Sequence, residues 1–111
     1  MAEHEVTIYR HPNPEIRSFL TREPLSPPTL WVGRRPFKSE DIARLKRLDL
    51  VAAQLIRNLA DIPGIEEIRL KPKEIRVKKI PDASWEQIEA RALQDIRGAL
   101  RRRKLHLVSR G

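Results

Sequence analysis

The chain has 111 residues, no cysteine and a formal net charge of +8. That length fits one domain with one modest core, and with few aromatics Leu, Ile and Val must supply most of it. The absence of cysteine excludes disulfides, thiolate nucleophiles and thiolate metal ligands from these residues. No apolar run approaches the ~20 residues that span a bilayer. The N-terminus, MAEHEVTIYR, has neither the basic start nor the apolar block of a signal peptide. The expected setting is therefore cytoplasmic.

Residues 5–10, EVTIYR, alternate, with Val6 and Ile8 on one side and Thr7 and Tyr9 on the other, which predicts a strand. HPNPE (11–15) is a turn: its two prolines lack a backbone donor and Asn13 is held extended before Pro14. IRSFLTR (16–22) is a second strand, making a hairpin with the first. Its inward face stays open, because Ile16 and Leu20 oppose Phe19. EPLSPP (23–28) is irregular, and TLWVGRR (29–35) is a short third strand suited to a sheet edge.

Residues 39–64 read as a long helix. Ser39 is its expected cap, and Glu40 and Asp41 suit the first turn. Leu45, Leu48, Ala52, Leu55, Ile56 and Leu59 form its apolar stripe, Asp49 marks a kink or restart, and Pro63-Gly64 ends it. IEEIRL (65–70) and KEIRVKK (73–79) form a hairpin with Pro72 in the turn. Residues 81–103 form the last helix, with a capping-box spacing at Ser84 and Gln87. Its apolar face is Trp85, Ile88, Ala92, Ile96 and Leu100, and Gly98 weakens its final turns. Two helices cover only one face of the sheet. The expected fold class is thus α+β: a mainly antiparallel sheet with two amphipathic helices on one face, in the order ββ(β)αββα. Residues 1–111 form one domain, with 101–111 a basic tail free to flex.

The charge is localised. Residues 69–79 carry Arg69, Lys71, Lys73, Arg76, Lys78 and Lys79 against Glu74, a net +5, and residues 101–111 carry another +5. In the second hairpin Ile75 and Val77 point inward. Arg76 and Lys78, with Arg69 beside them, then lie on the face that the helices leave open, and Tyr9 can join them. Such a face can hold single-stranded nucleic acid, though the Phe/Tyr-rich strands of those modules are absent, and charge runs are commonly just solvated surface. No Gly-rich phosphate loop or Ser–His–Asp set can be nominated, and most carboxylates sit on helix faces beside Arg or Lys. No enzyme is expected. A metal site from His4, His11 and a carboxylate competes with plain surface histidines, which the spacing of His4, His11 and His106 favours.

Four stretches together resemble one family. HPNPEIRSF is similar to the Pro-Asn-Pro segment that opens the N-terminal domain of Nfu/NifU-type iron–sulfur scaffold proteins. LADIPGIEEIRL looks like that domain's helix end, Ile-Pro-Gly and following strand. KEIRVKKIPDASWEQI resembles its second hairpin strand, acidic link and Trp-started helix. The order and spacings match from about residue 5 to residue 100. Family members usually carry a second domain whose Cys-x-x-Cys holds the cluster, and these residues contain none, so the chain is read as a stand-alone domain. The resemblance implies a non-enzymatic accessory role in iron–sulfur cluster assembly or delivery, through contact with assembly or recipient proteins. Iron or a cluster would be held only weakly or through the partner. The family's hairpin strand is usually Asp-Phe-Ile-Thr-Val-Thr-Lys-like. Ile75, Val77 and Lys79 match it, while Glu74, Arg76 and Lys78 replace its neutral exposed positions. The expected partner surface is Asn13, Arg69, Lys71, Lys73, Arg76 and Lys78. The competing expectation is a nucleic-acid-binding module using the basic hairpin and the C-terminal tail.

Overall fold

The strands are β1 (Val6–Arg10), β2 (Ile16–Thr21), β3 (Trp31–Arg34), β4 (Ile65–Lys71) and β5 (Glu74–Lys79). The computed structural model describes the backbone of residues 6–110 and the side chains of residues 6–103. The strands make one antiparallel sheet in the order β1-β2-β5-β4-β3. Both expected hairpins form, and β3 takes an edge. The β1–β2 turn closes on Asn13, whose carbonyl accepts the Ile16 N–H at 3.1 Å and whose side chain accepts the Glu15 N–H at 2.9 Å.

The open question of β2 parity is resolved by Phe19. Its ring is fully buried against the helices together with Ile75 and Val77, so Ile16, Ser18 and Leu20 face the other way. The helical part of the chain departs from one long helix. It is divided into α1 (Ser39–Arg44), a 3-10 turn (Leu45–Arg47) and α2 (Leu50–Ala60). Leu48 is extended, and the Asp49 carboxylate accepts the Ala52 N–H at 2.9 Å, so the helix restarts there with a new N-cap. The break lets Leu45 and Leu48 both reach the core. Ser39 is not the cap of α1. Lys38 occupies that position, and its N–H donates to the Asp41 carboxylate at 3.0 Å. The last helix, α3, spans Trp85–Arg110, beginning after the Pro81–Ser84 turn and continuing through the segment expected as a tail.

Side chains from the sheet (Phe19, Ile68, Ile75), from α2 (Leu55, Leu59) and from α3 (Ile88, Ile96) belong to one buried cluster. The two long helices therefore cover the same sheet face. Gly64, between α2 and β4, has φ +93, and a Cβ there would lie 2.5 Å from that of Ala83. Only glycine suits that link. Leu25, in the Pro-rich connection from β2 to β3, is fully buried. Its N–H donates to the Pro72 carbonyl in the β4–β5 turn, and its own carbonyl accepts from Arg103 Nη2 at 2.8 Å. One residue thus ties the basic hairpin to the basic end of α3.

Candidate interaction surface on the open sheet face

The antiparallel register lines up the outward side chains in rows across the sheet. The central row is Tyr9, Ser18, Arg76, Arg69 and Val32, one from each strand. On one side of it runs Ile16, Lys78, Glu67 and Arg34, and on the other Thr7, Leu20, Glu74 and Lys71. The face therefore carries three glutamates among its cations, counting Glu66 at the β4 irregularity. They are engaged: Arg34 with Glu67 at 3.1 Å, Lys78 with Glu66 at 3.6 Å, and Arg76 with Glu74 at 3.9 Å. These pairs leave the Arg76 and Lys78 side chains about one-third exposed, 36% and 35%. The surface is a mixed-charge field with an apolar fringe, not a uniformly basic one.

Each expected site residue has a definite place. Arg69 and Arg76 meet at the centre. Lys78 lies toward the β1–β2 turn, where the Asn13 side chain is occupied by the Glu15 N–H. Lys71 and Lys73 lie at the opposite end and are exposed. The structure thus joins Arg69, Arg76 and Lys78 in one patch and separates Asn13 from Lys71 and Lys73 by the length of β5. Lys79 turns inward. It is 9% exposed, and Nζ donates to the carbonyls of Ile80 and Pro81 at 3.3 and 3.2 Å. That lysine pins the turn into α3 and adds nothing to the open face.

Sequence reasoning missed a polar chain beside the two arginines. Ser18, only 1% exposed although it points away from the core, donates its hydroxyl to Glu74 at 2.7 Å. Its oxygen lies 2.8 Å from His11 Nε2, which this network makes the donor. The Tyr9 ring packs edge-on to His11. Because the hydroxyl proton goes to Glu74, the imidazole is not placed as a base for Ser18, and the order differs from that of a nucleophilic triad. Glu67 and Glu74 were readable from strand alternation. The His11–Ser18 contact depends on how the proline turn folds back, which spacing does not reveal.

Among the described residues no three His, Cys, Asp or Glu side chains gather as metal ligands. His4 and the His106 side chain lie outside the described residues. No helix among those described is long and apolar enough to cross a membrane. A concavity of about 420 Å³ lies between β3, α1 and α2, lined by Trp31, Phe37, Ile42 and Ile56 among others.

The profile of the family described as "Scaffold protein Nfu/NifU N terminal" matches residues 6–102. No curated protein matches the chain. Solved structures share its fold. A NifU-like protein from Saccharomyces cerevisiae superposes with a TM-score of 0.64 at 17% identity, covering 88% of this chain and 82% of that one. Protein SAV1430 from Staphylococcus aureus superposes with a TM-score of 0.59 at 17% identity, covering 82% of this chain and 96% of that one.

Proposed function

The chain belongs to the Nfu/NifU N-terminal domain family, and from that premise we propose that it serves iron–sulfur cluster assembly or delivery as a non-enzymatic accessory protein. The observation that carries the reading is the family match over residues 6–102 in a sequence without cysteine. Clusters are ordinarily held by thiolates, so none of these residues ligates one in that way. The iron or cluster is then cargo held by the partner, and the contribution of this domain is contact. The open sheet face supports this. It combines Tyr9, Ile16, Leu20 and Val32 with paired charges, a composition suited to a protein interface with a polar rim.

The test is a pull-down from native lysate at low and at physiological salt, with wild type and a Tyr9→Ala/Ile16→Ser variant. Iron–sulfur assembly or recipient proteins should stay with the wild type at physiological salt and be lost from the variant. Recovery of nucleic acid alone, or of the same proteins with both, overturns the reading.

A second reading rests on the Leu25 tether. It brings the turn that carries Lys71 and Lys73 to the Arg101–Arg103 part of α3, two basic runs of the kind that track a phosphate backbone. Nucleic acid retained at physiological salt and released by Lys71→Glu/Lys73→Glu would favour it.

A further inference from the structure

The middle of the open face has an electrostatic fault. Arg69 and Arg76 stand directly opposite each other on β4 and β5, and like charges so placed destabilise a sheet. Neither is well compensated. Among the described residues Arg69 has no ion pair, since the neighbouring glutamates are engaged with Arg34, Lys78 and Arg76. Among the described residues the one carboxylate within 4 Å of Arg76 is Glu74, 3.9 Å away, and it already accepts the Ser18 hydroxyl. Arg76 Nε is shielded from solvent and has no hydrogen-bond partner. A fold that needed only solubility at these positions would gain by placing a neutral side chain at either.

We propose that Arg69 and Arg76 form a receiving site for a carboxylate side chain presented by a partner protein. Two adjacent guanidiniums offer the planar donor forks that match the two oxygens of a carboxylate, and one bound anion removes the repulsion between them. Phosphate has a similar match, and the surroundings decide between the two. Glu66, Glu67 and Glu74 share this face. A nucleic-acid strand crossing it would drag closely spaced phosphates past three carboxylates, whereas a lone acidic side chain at the arginine pair has only Glu74 of the three close by, and that carboxylate already accepts the Ser18 hydroxyl. Tyr9 and Val32 close the two ends of the row with apolar surface. The occupant that fits is an acidic residue in an otherwise apolar or basic segment. This proposal rests on the open face being the partner surface.

The experiment follows the arginine Nε–H signals of the labelled protein by NMR at physiological salt. The probes are a blocked synthetic peptide with one glutamate among leucine, alanine and lysine residues, inorganic phosphate, and a single-stranded DNA oligonucleotide. The peptide should shift the Arg69 and Arg76 signals saturably. Arg69→Gln should weaken peptide binding at least tenfold and, without peptide, melt at a higher temperature than wild type. The higher melting temperature tests the repulsion, whereas the saturable shift and its tenfold weakening test the site, and a purely solvated arginine pair gives neither of these last two. Peptide binding unaffected by Arg69→Gln, a lower melting temperature for that variant, or tighter binding of the oligonucleotide through the same two signals each overturns the proposal. Its failure is separable from that of the open-face reading. A pull-down that depends on Tyr9 and Ile16 but not on Arg69 sinks the pair and leaves the face. Saturable peptide binding beside a pull-down indifferent to Tyr9 and Ile16 does the reverse.

Discussion

Val77 and Arg76 are neighbours in the chain and opposites in the fold. Val77 is fully buried and Arg76 lies on the open face. Val77→Asp should unfold or severely destabilise the domain, because an unpaired buried carboxylate costs several kcal/mol. Arg76→Asp should change stability by less than about 1 kcal/mol, as surface substitutions generally do. Urea denaturation of the two variants checks the contrast, and equal losses would reverse the assigned parity. Two carboxylates make opposite contributions to acid behaviour. Burial raises the pKa of Asp95, with Arg91 and Arg102 opposing and Asp61 reinforcing the shift, and its Oδ2 has no hydrogen-bond partner. The folded state then holds a proton that the unfolded state has released, so the Asp95 contribution falls as pH rises above the ordinary aspartate value. The Lys38 N–H foremost, and then Arg44, lowers the pKa of Asp41. Its contribution is present above the ordinary value and is lost as pH falls through the lowered one. Melting temperatures between about pH 2 and 7 should show Asp95→Asn removing the first trend and Asp41→Asn the second.

At the scale of elements, α2 depends on its restart. Asp49 caps the helix and pairs with Arg103 of α3 at 2.8 Å. Asp49→Ala should cost about 0.5–2 kcal/mol from the cap alone, measurable as a lower urea midpoint. Gly98, inside α3, carries no such demand. A Cβ there meets only Arg102 Nη1, at 3.5 Å, so Gly98→Ala should stabilise by about 0.5–1 kcal/mol, read as a raised melting temperature. These elements also show what one sequence discloses. Strand alternation revealed Ile75 and Val77 as core, proline placement revealed both hairpin turns, and helical spacing revealed the stripes of α2 and α3. The α1 cap was misassigned because serine is a favoured cap, whereas here the stabilising oxygen comes from Asp41 reaching back to Lys38. On the open face, the positions of Arg69 and Arg76 followed from periodicity. Their face-to-face register did not, because pairing between strands is set by the turn and the β4 irregularity, not by either strand alone. Ser18 had no assigned face while the parity of β2 was open, and its contacts with His11 and Glu74 come from the proline turn and from β5.

For the whole molecule, the sequence without cysteine predicts that reconstitution with iron and sulfide leaves no visible-range cluster absorption after desalting. A stoichiometric cluster on the isolated protein would show that nitrogen and oxygen donors suffice, and would contradict the contact role. The strand order has a further consequence, which concerns synthesis. β1 and β2 pair with each other, but the other edge of β2 is completed by β5 and β3 by β4, so that edge and the whole of β3 find their sheet partners only among residues 65–79. At a translation rate on the order of 5–20 residues per second, the open edge of β2 and the β3 segment wait a few seconds without their partners. A strand edge exposed in that interval is open to pairing with another nascent chain. The prolines at 12, 14, 24, 27 and 28 punctuate that stretch. They keep any uninterrupted strand short while the proper partners are still being made.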